Sequence, residues 1–311
     1  MGHHEPALWL GFSGLVVVLL AIDLGVLNRR AHVLSIKEAT TWSLGVVGFA
    51  LAFGLFVLVR EGGRAALEYY TGYLVELSLS VDNLFVFILI FGYFGVPPEA
   101  RPKVLKWGIL GAIVMRLAMI ALGGLLLQRF DWITWVFGGI LIVTGIRMWV
   151  QKEERIELER NPVVRLARRL LPFSSSYHQT DFFTRHRSGR LLATPLFLVL
   201  LVVEWSDLVF AIDSIPAVFA VTRDPFLVFS SNVFAILGLR ALFFVLAGML
   251  DKFIYLRPGV AFILVFVGLK MALSGWIHVP TGLSLGVIIG TLAGAVTLSL
   301  RRSARAARIA A

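Results

Sequence analysis

The stretch TGYLVELSLSVDNLFVFILIFGYF, residues 71–94, is long and apolar enough to cross a bilayer, yet it carries Glu76, Asp82 and Asn83 near its middle. A membrane helix needs about 20 mostly apolar residues. Each ionised carboxylate inside one costs roughly 2.5 kcal/mol or more on insertion scales. Residues 202–216, VVEWSDLVFAIDSIP, set the same conflict with Glu204, Asp207 and Asp213. Charges at that depth face the interior of a helix bundle, where they pair with one another or meet ions.

The rest of the 311-residue chain is written in the same apolar text. It is 58% hydrophobic and 15% charged, with a mean hydropathy of +0.86, where a soluble domain carries about 25% charged residues. This reads as an all-α, polytopic membrane protein. Nine helices are expected, at about residues 7–27, 42–59, 72–94, 107–127, 133–150, 191–221, 231–250, 260–277 and 283–300. An N-terminal membrane half (1–150) and a C-terminal one (191–311) flank a basic linker, 151–190. The first apolar run is too long for a cleavable signal peptide and lacks a small-residue cleavage site. Of the 29 Lys and Arg residues, 21 fall in loops on one side of the membrane if the N-terminus is outside. The positive-inside rule then puts the linker and the C-terminus in the cytoplasm, and the localisation is the cell (inner) membrane. That asymmetry accounts for the net charge of +10 and excludes nucleic acid as the partner; the lipid bilayer is the partner instead.

The two halves are related. MRLAMIALGGLLLQRF (115–130) aligns with LRALFFVLAGMLDKF (239–253), placing Arg116 on Arg240 and Gly124 on Gly248 at an offset of 124. TGIRM (144–148) aligns with VGLKM (267–271) at 123, and YFGV (93–96) with VFAV (218–221) at 125. Two three-helix units, 72–150 and 191–277, are therefore expected to cross in opposite senses. Inverted repeats are a common architecture of secondary transporters, whose sites lie near the midplane at the repeat interface.

On the third helix Glu76, Ser80 and Asn83 share a face at i, i+4, i+7, with Asp82 about 120° from Glu76. On the sixth, Glu204 and Asp207 share a face, and Asp213 points the other way. Pro216, after an Asp-Ser pair, predicts a break near 213–216, and a second break is expected near 80–83. Five carboxylates outnumber the two central arginines, Arg116 and Arg240, so the surplus calls for a proton or a cation. With no cysteine in the chain and no histidine in these helices, the ligands are hard oxygens, Asn83 and Asn232 included. They suit magnesium, calcium or manganese and disfavour zinc and copper(I). The methionines read as packing and His178, His186 and Asp181 as solvated, while the role of Asp23 is open.

ELSLSVDNLFVF with YFGVPPE, ATPLFLVLLVVEWSDLVFAIDSIPAVFAVT with SNVFAILGLRALFF, and DLGVLNRRAHVLSIKEA near the start resemble the TerC family of integral membrane proteins. The resemblance covers most of residues 8–300, with Leu77 as a departure where the family's pattern has a polar or basic residue. It implies manganese(II) export, with tellurite resistance as the historical label, and assigns the metal role to Glu76, Asp82, Asn83, Glu204, Asp207 and Asp213. An enzyme is not expected, since HExxH, GxSxG and phosphate-cradling glycine motifs are absent. The competing expectation is a non-transporting membrane interaction protein with a structural ion in its acidic core and a basic linker that docks partners. Because clustered carboxylates hold protons when empty and release them to a cation, exchange of metal for protons is the expected coupling.

Overall fold

A computed structural model describes residues 6–25, 36–130, 132–150, 162–174, 176–178, 180–185, 190–246, 255–276 and 279–310. The chain is an all-α, multi-pass membrane protein. Its long helices are α1 (Pro6–Gly25), α2 (Ile36–Glu61), α3 (Gly63–Tyr93), α4 (Arg101–Arg129) and α5 (Ile133–Val150), then, after the short α6 (Pro162–Leu170), α7 (Pro195–Phe219), α8 (Pro225–Leu246), α9 (Leu256–Ala272) and α10 (Thr281–Ala310). Five of them are long and apolar enough to cross a membrane, within Lys37–Glu61, Arg101–Arg129, Ile133–Val150, Pro195–Phe219 and Thr281–Arg302. The outward surface is fit for lipid: Val59 is 88% exposed, Leu10 73% and Trp276 76%, an inversion of the soluble pattern.

Several expected boundaries move, each for a local reason. Only Gly62 separates α2 from α3, and its φ of 92° is a left-handed conformation that glycine adopts freely. The sixth expected helix was to begin at 191, but Leu191–Ala193 pairs instead with Phe183–Arg185 as a small antiparallel hairpin, β1–β2. Pro195 excludes the helical region for the residue before it, so Thr194 is extended and α7 starts at the proline.

The expected breaks at 80–83 and 213–216 do not occur: α3 and α7 run unbroken through both. Pro216 lies in the last turn of α7, where the lost N–H costs one ladder bond, and its carbonyl still accepts from the Ala220 amide at 2.9 Å. Nor do Asp213 and Ser214 compete for their own backbone, because both accept hydrogen bonds from neighbouring helices.

At the centre α3 and α4 pack against α7 and α8 in all four combinations, while α5 packs along α9. The α5–α9 contact is close because glycines face it. A Cβ added to Gly145 would stand 2.8 Å from the Ala261 carbonyl oxygen and 3.1 Å from the Val265 nitrogen; one added to Gly268 would stand 2.9 Å from the Gly138 carbonyl oxygen and from Ile142. As residue numbers rise on α5 they fall on α9, so the pair is antiparallel. An aromatic cluster from α1, α2, α3 and α8 closes the bundle at the end away from the basic loops, with Phe12 and Phe53 rings 5.2 Å apart.

The described residues between 162 and 185 fold back on the bundle. The Tyr177 hydroxyl donates to the Phe94 carbonyl at the end of α3 (2.7 Å). Lys103 pairs with Asp181 at 3.3 Å and lies over the Phe182 ring.

Candidate functional site

Helices α3, α4, α7 and α8 each send a polar side chain to one buried point. Arg116 of α4 is 1% exposed. Its Nη1 donates to the Glu76 carboxylate of α3, to Ser214 Oγ of α7 (3.2 Å) and to Asn232 Oδ1 of α8 (3.2 Å). Arginine reaches this position because it is one helical side chain in an otherwise apolar stretch, and its charge tolerates the depth only with an anion against it. Glu76, fully buried, is that anion.

The cluster is only partly satisfied. Among the described residues, Arg116 Nε and Nη2, Glu76 Oε2, Ser80 Oγ, Asn83 Nδ2, Asp207 Oδ1 and Asn232 Nδ2 are buried with no hydrogen-bond partner. Buried polar atoms are nearly always paired, so seven orphans in one bundle single this cluster out. Glu76, Ser80 and Asn83 follow one another on a single face of α3, spread over about 10 Å of helix axis.

Asp207, buried on α7, lies within charge–charge range of Arg116 and of Glu204. The Glu204 side chain, half-buried, lays its carboxylate against Gly111 of α4, filling the space a Cβ would need. A narrow cleft with room for about one water molecule lies beside Asp207. It is lined by Leu84 and Phe87 of α3, Leu105 and Gly108 of α4, Val203 of α7 and Ile236 of α8, and Asp207 is its one polar wall. Leu105 and Gly108 belong to the first two turns of α4, so the cleft runs from Asp207 towards the end bearing residues 95–106.

Residues 61–307 match the integral membrane protein TerC family. The chain belongs to the TerC family. It is 49% identical over 302 residues to the uncharacterised membrane protein STKORF319 of Myxococcus xanthus, covering 97% of this chain and 94% of the relative. It is 47% identical over 296 residues to Alx of Escherichia coli K12, provisionally named a membrane-bound redox modulator, with 92% of each chain covered. The chloroplast thylakoid membrane protein TERC of Arabidopsis thaliana is 46% identical over 255 residues, 82% of this chain and 66% of that protein. No solved structure matches.

In this TerC protein the six residues expected to hold metal distribute as follows. Glu76 and Asp207 converge on Arg116, Glu204 borders Asp207, and Asn83 lies two turns along α3 from Glu76. Asp213 is turned away: its Oδ1 accepts from Thr144 Oγ1 of α5 at 2.8 Å, with Arg147 also in charge–charge range. Asp82 belongs to α3, but its side chain lies outside the described residues, as do those of Arg240 and Asp23. His186 lies outside them too. Among the described residues no three His, Cys, Asp or Glu side chains form a metal-holding group. Leu77 packs against the apolar cluster of α1, α2 and α8. Sequence reasoning missed Thr144 as the partner of Asp213. The available signal was its i, i+3 spacing from Arg147, which puts a hydroxyl and a cation on one face of α5.

Proposed function

We propose that this TerC protein exports a divalent cation, manganese(II), from the cytoplasm across the cell (inner) membrane. The observation that carries the reading is the pair of neighbouring acids Asp207 and Glu204, with buried carboxylate oxygens of Asp207 and Glu76 left without a hydrogen-bond partner at the meeting of α3, α4, α7 and α8. Arg116 cancels the charge of Glu76, leaving Asp207 and Glu204, two negative charges for one doubly positive ion. Asn83 and Glu76 Oε2 add oxygen donors of the hard kind manganese, calcium and magnesium share. The choice of manganese over calcium rests on the family resemblance. The cleft beside Asp207 extends towards the basic end, the side from which an exporter loads.

In this reading the N-terminus is outside, nine helices cross, and the two three-helix units α3–α5 and α7–α9 are inverted copies. Their reciprocal packing supports it. Subtracting 123 from Ala261 and Val265, the residues facing Gly145, yields Gly138 and Ile142, which are the residues facing Gly268, itself 123 beyond Gly145. Antiparallel contact of the two copies is what inversion requires. At the offset of 125 Asp82 corresponds to Asp207, which supports it as a further ligand; in this reading Asp213 serves a second arrangement of the helices. Ion binding expels protons, so export exchanges metal for protons, and the protein is a carrier, not an enzyme. The redox theme in the name of Alx has no thiol to work through here, since the chain has no cysteine.

The test is transport by the purified protein in sealed liposomes against manganese, calcium, magnesium and zinc. Manganese movement abolished by Asp207→Asn is the expected result, and no movement of any divalent ion by folded protein overturns the reading. A second reading, a membrane interaction protein with a static polar core, is favoured by the closure of Glu76 onto Arg116. It predicts intact binding of partners and no flux.

A further inference from the structure

Helix α6 is the most sharply two-sided of the described helices. Val164 and Ala167, one turn apart, are buried in the apolar cluster that holds Val96, Ala100 and Val104 at the α3–α4 end and Leu196 and Val199 in the first turns of α7. This fixes α6 at the level where α4 and α7 begin, the end of the bundle rather than its middle. At 100° per residue Leu166 and Leu170 lie together on a flank beside that buried face. They are 57% and 68% exposed, and Leu171 adds 38%. Arg165, Arg168 and Arg169 occupy the remaining arc, between Val164 and Leu166, and α6 contains no acidic residue.

Three leucines left open beside three arginines, at the level of the helix ends, have one fitting occupant. A water-facing surface would not keep the leucines, and a hydrocarbon-facing one would not keep the arginines. We propose that α6 is an in-plane membrane anchor. Leu166 and Leu170 enter the acyl boundary of the protein's own bilayer, and Arg168 and Arg169 bind the phosphates of anionic phospholipids in the leaflet at the basic end. The long aliphatic stems of the arginines let their guanidinium groups reach the headgroups from the same helix. The anchor is independent of what the core transports. Through Val164 and Ala167 it ties the start of α7, the helix bearing Glu204 and Asp207, to the membrane surface.

Because the chain has no cysteine, single nitroxide labels can be placed at Leu166→Cys, Leu170→Cys and Arg168→Cys in the full-length protein without further changes. All three positions are exposed, so folding survives. The protein is reconstituted in phosphatidylcholine bilayers with and without phosphatidylglycerol, and the accessibility of each label to oxygen and to a water-soluble nickel chelate is compared. Labels at 166 and 170 are expected to favour oxygen about fivefold more than the label at 168 when phosphatidylglycerol is present. Arg168→Gln/Arg169→Gln should cut the enrichment of phosphatidylglycerol around the protein at least fivefold, each basic residue near an anionic surface being worth about that factor. Labels at 166 and 170 that are open to the nickel chelate in both bilayers overturn the proposal. So do labels shielded from both reagents, which would mean that protein covers the face, and so does an unchanged lipid preference in the double variant.

Discussion

Replacing Arg116 with glutamine strands Glu76, which is fully buried and owes its charge to that guanidinium. The two single variants of this pair fail in different ways. Without Arg116, Glu76 can stay buried by taking up a proton. For a carboxyl with an ordinary value near 4.3, that costs about 3.7 kcal/mol at pH 7 and about 1 kcal/mol at pH 5. The folded variant then binds one proton more than the unfolded chain, so its stability must rise as pH falls from 7 to 5. Without Glu76 there is no such escape, since arginine does not deprotonate. Glu76→Gln should cost about 3 kcal/mol at pH 7, the lower end for a broken buried pair because Asp207 is in range to share the charge. Glu76→Gln/Arg116→Gln removes both charges and should recover at least about 2 kcal/mol of the summed losses. Reversible unfolding in mixed detergent micelles, followed through the eight tryptophans at pH 5 and pH 7, measures all four forms. A deficit for Arg116→Gln that is equal at the two pH values, or additive losses in the double variant, would refute a charged pair at this depth.

Gly111→Ala should displace the Glu204 carboxylate without altering any charge. Because a flexible side-chain end yields easily, manganese uptake into inverted vesicles should fall about tenfold while thermal stability stays within about 1 kcal/mol of the parent. Asp207→Asn keeps size and an oxygen but loses one charge, so manganese tolerance of cells expressing it should drop to that of cells lacking the protein at equal membrane abundance. Gly145→Ala and Gly268→Ala each drive a Cβ onto the facing helix backbone and should destabilise by similar amounts, about 1–3 kcal/mol; a large difference between them would count against equivalent repeat positions. Proton exchange is checked with a pH-sensitive dye sealed in the liposomes: manganese entry should shift internal pH, and flux that neither shifts it nor responds to an imposed gradient rules the exchange out.

What the sequence made legible was the chemistry that apolar text cannot hide. Charges in spans must converge, and Glu76, Arg116 and Asp207 do converge. The 3.6-residue period placed Glu76, Ser80 and Asn83 on one face and turned Asp213 away from Glu204, and the structure keeps both relations. Helix ends were less legible, because Gly62 and Pro195 act through single backbone conformations that hydropathy does not register. The breaks expected from Pro216 and the polar residues near it failed for a different reason. Propensity counts a residue's own preferences, and at Asp213 and Ser214 those are overridden by donors on α5 and α4 that only the packed bundle supplies.

That override also changes which carboxylates are free for an ion. Counted along the chain, five acids face two arginines, and any of the five is a candidate ligand. In the bundle Glu76 is taken by Arg116, and Asp213 by Thr144 with Arg147 in range, so the surplus on the described side chains contracts to Glu204 and Asp207, one turn apart on α7. A static network would be expected to close such a surplus with a second cation or a full set of donors, as it has for Asp213. Instead Asp207 keeps an orphaned oxygen, lies within charge–charge range of Arg116, and forms the polar wall of a cleft. Arg116 is thereby poised between two acids. If an ion settles on Asp207 and Glu204, the guanidinium is held on Glu76; if the ion leaves, the guanidinium is a positive charge in range to lean towards Asp207. A tethered arginine that substitutes for the departing cation would let the empty carrier cross its midpoint without two bare carboxylates in the core. Arg116→Gln should then retain binding of manganese while slowing the return of the empty carrier, so exchange of manganese across the liposome membrane at equilibrium would persist where net export fails.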